Sequence, residues 1–435
     1  MRDTRPPTSL LAIDSGAAYA RPDLAAAQLR STKAIRSRSA ALLARARHGE
    51  SRWFTVNDGA MTNATALVAE VTLARYPDLK IPYHSRWRHF EAGGVDRTGQ
   101  LTQRLASLDA PAQARARIDL ALVSVLLDAG AGPDWSYTEA AHSGQYPQHL
   151  TRSEGLGVAS FHAFMVGLFS SDPALPLQAD AHGLLGVTAE RLGQAFQVSP
   201  KNPLVGLEGR AALLQRLGQA LLDQPGIFSA AQGEPRPGQL FDHLAQGRSS
   251  VAAHDILVLL LGSLAPIWPA QNSFEGVALG DCWRHPAVRS AAGEDALTDG
   301  WMPFHKLSQW LAYSLIEPFQ WAGIRVEGLD ELTGLPEYRN GGLFLDAGVL
   351  NLRDATLAAR PLQAGDELVV EWRALTVALL DEIAPRVRQQ LGLTAGQMPL
   401  ACVLEGGTWA AGRVLARRLR GGLPPLSIVS DGTVF

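Results

Sequence analysis

Cysteine and lysine are both scarce in this 435-residue chain. Cys282 and Cys402 are the only thiols and form no CxxC pair, so neither a disulfide framework nor a thiolate zinc site is supported. A reducing, cytoplasmic setting fits. Lysine occurs only at Lys33, Lys80, Lys201 and Lys306 among 39 lysines and arginines, a skew that codon bias explains most simply. The formal net charge is -3, so no global field draws nucleic acid or an anionic membrane. Long apolar runs are missing too. The longest, Ile256 to Leu264, is too short to span a bilayer. Met1 to Ala20 carries charges and Pro6-Pro7 without the apolar core of a signal peptide. No GxxxxGK[ST], HExxH or GxSxG motif occurs, and Gly155-Leu156-Gly157 lacks the third glycine of a dinucleotide fingerprint. His84 and His89 stand five apart without an evident third ligand, so no metal and no cofactor are expected.

What is present is the 46% hydrophobic and 19% charged composition of a globular protein. Apolar residues recur every three or four positions over Leu24 to Arg47, Thr65 to Tyr76 and Ala112 to Ala129, which predicts helices. Further helices are expected at Gly157 to Leu168, Ala179 to Phe196, Arg210 to Leu222, His254 to Leu264, Pro303 to Leu315 and Glu367 to Ile383. Short strands are expected at Gly342 to Val349, Pro399 to Leu404 and Leu426 to Val429. The fold class is therefore mainly α, a multi-helix globular fold with a few short strands in its C-terminal part. Residues 1–50 read as an N-terminal helical segment and 51–435 as one large catalytic domain, or two lobes joined by a Pro- and Gly-rich loop or linker near 224–246.

Four stretches could carry chemistry. Ile81 to Phe90, followed by Gly93-Gly94-Val95-Asp96-Arg97, reads as a loop; if extended, His84, Arg86 and Arg88 share one face and Tyr83, Trp87 and His89 the other. Arginine forks suit phosphate and an aromatic face suits a sugar or base. The competing reading is structural ion pairing with Glu91 and Asp96. Asp128-Ala129-Gly130-Ala131-Gly132 and Arg152-Ser153-Glu154-Gly155 set charge beside glycines where backbone can approach a ligand, although helix capping explains both economically. Thr298 to Trp310 is the most informative: Pro303 fits a first helical turn, Asp299 would lie in the loop entering it, and Lys306, Gln309 and His305 place polar groups on adjoining strips. Gly328 to Gly334 superficially resembles a phosphoribosyltransferase loop, but Arg325 and Glu327 interrupt the preceding strand, which favours a simple turn.

HSRWRHF with GGVDR, RSEG, TDGWMPFHKLSQWLAYSL, NGGLFLDAGVL, EWRALTV and EGGTWAAGR resemble the fungal and bacterial family named for the URC route of uracil catabolism, over about Arg52 to Phe435. Membership implies a role in degrading uracil at the nucleoside or nucleotide level, with ribosylurea-type intermediates. A weaker resemblance joins residues 299–376 to queuosine-nucleotide N-glycosylases, an all-helical group related to helix-hairpin-helix DNA glycosylases. Lys306-Leu307-Ser308-Gln309 and Gly365 followed after five residues by Glu371-Trp372-Arg373-Ala374 match that group in order, and the second also in spacing, whereas the position of its catalytic Asp is taken by Phe304.

These resemblances lead to the expectation of an N-glycosidic hydrolase that splits ribosylurea or its 5′-phosphate into urea and ribose or ribose 5-phosphate. Oxocarbenium character at C1′ calls for a carboxylate, with Asp346, Glu371 and Asp299 as candidates. His305 and Gln309 could assist the departing urea; Lys306, Arg86, Arg88, Arg373 and Trp87 could hold substrate. The partner is then a small nucleoside- or nucleotide-derived molecule, with no nucleic acid and no membrane. A non-catalytic uracil- or nucleotide-binding protein and a uracil phosphoribosyltransferase remain alternatives.

Overall fold

The periodic segments fold as helices in the computed structural model, which describes residues 21–128, 130–140, 148–230, 233–268, 272–291, 293 and 296–429. The first helices are α1 (Pro22–Leu29), α2 (Thr32–Arg47), α3 (Met61–Arg75), the single turn α4 (Trp87–Phe90), α5 (Arg97–Leu105), α6 (Ala110–Leu126) and α7 (Arg152–Met165). Then come α8 (Ala181–Leu185), α9 (Ala189–Ala195), α10 (Leu207–Asp223), α11 (Pro225–Phe228), α12 (Gln239–Ala245) and α13 (Ala253–Leu264). The C-terminal set is α14 (Lys306–Trp321), α15 (Tyr338–Asp346), α16 (Glu367–Leu391), α17 (Leu400–Val403) and α18 (Trp409–Arg420). The fold is mainly α. Residues 1–20, part of the expected N-terminal segment, lie outside the described residues, as does Ala129.

Three helices form the centre. α6 from Ala116 to Leu126, α14 from Gln309 to Phe319 and α16 from Leu368 to Leu380 are buried on every face, the pattern of a helix walled in by others. α14 packs on α6 and α13, α16 on α2 and α3, and α15 lies along α18. One contiguous apolar cluster runs from Ile35 to Leu426, and each fully buried Leu, Ile or Phe in it contributes about 1.5–3 kcal/mol. Residues 224–246 supply Phe228, Leu240, Phe241 and Leu244 to that cluster through α11 and α12.

Strands are short and paired in twos. Phe54–Val56 pairs antiparallel with Leu350–Leu352, Ser250–Ala252 runs parallel to Arg325–Glu327, and Cys282–Arg284 pairs antiparallel with Trp301–Pro303. These pairings tie segments far apart in sequence and so fix loops around the helical centre.

Several expectations change. Gly342 to Val349 is not a strand: its first five residues belong to α15, whose Gly341 lies so close to Trp372 that an added Cβ would meet the indole at 2.7 Å. Pro399 to Leu404 is likewise helical, and Leu426 to Val429 contributes only an isolated bridge from Ile428 to Leu362. Short apolar runs fit a buried helix as well as a strand, and packing decides. Pro303 sits in a strand, and α14 begins at Lys306 after His305 takes up a left-handed backbone, φ 51°. Residues 87–90 form a helical turn, so the alternating faces expected of an extended 83–89 do not arise.

Candidate functional site

The N-terminal turn of α14 is braced from below. Arg373 of α16 donates to both oxygens of Asp281, at 2.8 and 2.7 Å, and its guanidinium lies 4.1 Å from the Phe304 ring centroid. Asp281 Oδ2 also accepts the Lys306 backbone N–H at 3.0 Å, and Oδ1 accepts Trp283 Nε1–H at 2.7 Å. Burial works against the charged carboxylate, but the Arg373 charge and these donors outweigh it and hold Asp281 at about 2. This buried pair fixes where α14 starts. Sequence inspection misses Asp281 because its partners lie 25 and 92 residues away.

Lys306 rises from that turn with a half-buried side chain whose ammonium has no hydrogen-bond or ion-pair partner among the described residues. Burial lowers its pKa, while Glu337 and Asp128 are close enough to favour the charged form. We call the ground around this desolvated ammonium the recess. One turn on, Gln309 is fully buried; its Oε1 accepts Thr333 N–H at 3.2 Å and its Nε2 has no partner among the described residues. Trp310, a full turn above Lys306, is 5% exposed with its indole N–H unpaired among the described residues.

A second wall hangs from residues 333–340. Glu337 caps α15, accepting the N–H groups of Arg339 at 2.6 Å and Asn340 at 2.5 Å, and burial raises its pKa. Asn340 donates to Leu335 O at 3.1 Å, and its buried Oδ1 has no partner among the described residues. Thr333 Oγ1 is likewise buried and unpaired among the described residues. Such atoms are uncommon in native interiors and could receive a polar ligand. Tyr338 stands beside Glu337, within electrostatic reach of Arg152 and Asp128.

The third wall joins both glycine-flanked acidic stretches. Arg86 is completely buried: Nε donates to Ser124 Oγ at 2.6 Å, Nη1 pairs with Asp128 Oδ1 at 3.1 Å, and Nη2 has no hydrogen-bond partner among the described residues. Its guanidinium lies 5.5 Å from the Trp310 ring centroid, and the His89 ring meets the same indole edge-on at 5.5 Å. Burial, then the charge of Arg86, pushes His89 down to about 4, so it is a neutral imidazole. Ser153 donates to Asp128 Oδ2 at 3.1 Å, and Glu154 pairs with Arg413 at 3.0 Å. Gly157 permits this approach, since a Cβ there would sit 2.9 Å from that of His89. Arg152, in the first turn of α7, shares with His305 a left-handed backbone, φ 54°; such strain in non-glycine residues gathers at functional sites. The N-terminal turns of α14 and α15 already carry the carboxylates of Asp281 and Glu337, whereas the N-cap of α7 makes no side-chain hydrogen bond, so it is the positive end of α7 that favours an anion.

Of the residues singled out from sequence, Lys306, Gln309 and Arg86 meet in this recess, with Arg373 beneath it. The others lie in separate surroundings. Asp346 forms a two-point ion pair with Arg420 at 2.8 and 2.6 Å, between α15 and α18. Asp299 accepts Ser290 N–H at 2.6 Å. His305 Nε2 is 3.0 Å from Leu29 O, and burial lowers its pKa to about 4. Trp87 is a core residue whose Nε1 donates to Ser314 O, and Arg88 pairs with Glu317 at 2.7 Å and Glu91 at 3.0 Å. Glu371 accepts from Ser51 and lies 3.2 Å from His285 Nε2. Ligand atoms of His285, Glu367 and Glu371 come within 4.8 Å of one another, a grouping that could hold a cation. However, His285 Nδ1 accepts Ala287 N–H at 3.2 Å, which puts the ring proton on Nε2 facing Glu371, so the group is hydrogen-bonded without one. Among the described residues no helix is long and apolar enough to cross a membrane.

The fold is that of a mainly helical protein, and its candidate site gathers basic, amide and aromatic side chains. The chain belongs to the family described as "Protein of unknown function (DUF1688)", whose model matches residues 28–435. It is 38% identical over 421 residues to "Protein urg3" of Schizosaccharomyces pombe, covering 94% of this chain and 98% of that protein. It is 39% identical over 383 residues to "Uracil catabolism protein 4" of Lachancea kluyveri, covering 82% of this chain and 85% of the relative.

Proposed function

We propose that this protein acts in uracil catabolism, as the printed name of the Lachancea relative says of that protein, and that its recess hydrolyses the N-ribosidic bond of ribosylurea or its 5′-phosphate. The observation that carries this reading is the unpaired Lys306 ammonium between Asp128 and Glu337, beside the unpaired amide atoms of Gln309 and Asn340. A ureido group offers a carbonyl to Gln309 Nε2 and an N–H to Asn340 Oδ1. A phosphate would find Lys306, Arg86 Nη2 and the α7 N-terminal turn. Asp128, held by Arg86 at Oδ1 and by Ser153 at Oδ2, is the carboxylate for C1′: it stabilises the oxocarbenium ion and orients the attacking water. Arg373 serves through Asp281, holding the Lys306 turn in place. Incubating the purified protein with ribosylurea 5′-phosphate and quantifying urea and ribose 5-phosphate tests the reading. Equimolar release that falls at least about 100-fold in Asp128→Asn is expected; no release by the wild type overturns it.

A further inference from the structure

A histidine–carboxylate pair, His84 and Glu405, lies outside the three walls. The helix that carries α17 and α18 is interrupted by one π turn, Leu404–Thr408, a distortion that often marks functional positions. It turns Glu405 inward. Glu405 accepts from His84 Nδ1 at 2.8 Å, Arg75 Nη2 at 2.7 Å and Tyr76 Oη at 3.1 Å, and its side chain is 8% exposed. Gly407 makes the turn possible, since a Cβ there would lie 2.5 Å from Thr72 Oγ1 and 2.6 Å from Val68 O. With Nδ1 engaged, His84 Nε2 is the free position of the ring, and it has no hydrogen-bond partner among the described residues. The His84 ring lies 6.3 Å from that of Trp409, and Arg413, 5.4 Å from the same indole, pairs with Glu154 of the third wall at 3.0 Å, so a short chain of contacts joins His84 to the recess; Glu337 and His89 are also within electrostatic reach.

We infer that His84, oriented by Glu405 as a positioning residue, donates the proton that the departing urea needs. This rests on the hydrolase reading. As the C1′–N bond breaks, its electron pair stays on the urea nitrogen, which takes the proton from His84 Nε2. Water forms the new C1′–O bond and gives its proton to Asp128, and exchange with solvent restores both groups. Burial opposes the Glu405 charge, but the hydrogen bond and charge of His84 outweigh it, with Arg75 adding to them, and hold the carboxyl at about 2, so Glu405 stays ionised beside the ring. The charged and titratable groups that face His84 are Glu405 on one side and Glu337 and His89 on the other, with Arg75 and Tyr76 bound to Glu405.

The test compares leaving groups. Wild type, His84→Gln and Glu405→Gln are assayed on ribosylurea and on 4-nitrophenyl riboside, whose phenolate departs without a proton. A loss of about 100- to 10,000-fold on ribosylurea with less than about 10-fold on the nitrophenyl substrate is expected for His84→Gln, along with loss of the basic limb of the pH profile. Equal losses on both substrates, or no loss on either, overturn the inference. Imidazole 15N spectra give a second readout: ribose 5-phosphate should shift His84 Nε2 while Nδ1 keeps its proton, and an unmoved resonance overturns the placement. A wild type that releases no urea while Nε2 still responds overturns the hydrolase reading and leaves His84 in the site.

Discussion

Replacing Asp281 by Asn removes the charge that holds Arg373 and the first turn of α14 together. A carboxyl held at about 2 against its ordinary 3.8 stabilises the folded chain by about 2 kcal/mol above roughly pH 4, at 1.36 kcal/mol for each pH unit. The sign follows from the depressed value: the contribution is complete above the unfolded pKa and is lost as pH falls from about 4 to about 2. The substitution also takes from Arg373, 1% exposed, its Asp281 carboxylate partner, and removing one partner of such a buried pair costs about 3–5 kcal/mol. Asn can still accept one of the bonds from Arg373 or Lys306 N–H, so a loss of about 3 kcal/mol is expected at pH 7. Urea unfolding followed by tryptophan fluorescence reads this as a lower midpoint with an unchanged slope. The gap between wild type and variant should narrow below about pH 4. A loss under about 1 kcal/mol, or a gap that does not depend on pH, would refute the argument that Asp281 is the buried brace of the site.

Other outcomes follow from the same contacts. Lys306→Met should weaken binding of ribose 5-phosphate by about 10- to 150-fold, the worth of one charged hydrogen bond of about 1.5–3 kcal/mol, as read by calorimetry. Lys306→Arg with undiminished turnover and affinity would reduce the lysine at this position to codon bias. Asp346→Asn should lower stability through its Arg420 pair and leave kcat within about threefold, because that pair lies between α15 and α18; a loss above about 100-fold would return Asp346 to the chemistry. Gly407→Ala should destabilise by about 1–3 kcal/mol through its clash with Val68 and Thr72, measured as a drop in unfolding midpoint.

The long helices could be read because their apolar period extends over several turns: α6, α10, α13 and α16 lie where that period places them. Short apolar runs such as Gly342 to Val349 could not, since the run fits strand or buried helix alike and the Glu337 cap and the packing of α15 on α18 and Trp372 lie outside it. The site divides the same way. Lys306 and Gln309 stood out as polar residues among aromatics on one helix, and Arg86, Asp128 and Ser153 lay in quoted motifs, though their union needed the packing of α4 on α7. Asp281 carries no local signal. Glu337 left one, an acid three residues before the Asn340 N–H it caps, which a search for capping residues would have found. Glu405 depends on a π turn that no simple helical period announces.

The most direct measurement follows ribosylurea 5′-phosphate carrying 13C in its ureido carbonyl, incubated with the purified protein and observed by NMR. Cleavage at C1′ predicts that the label appears as intact urea, in step with ribose 5-phosphate, with the rate abolished in Asp128→Asn. Label appearing as carbonate or carbamate would place the attack at the ureido carbon, and an unchanged spectrum would mean no hydrolysis; either result contradicts the account.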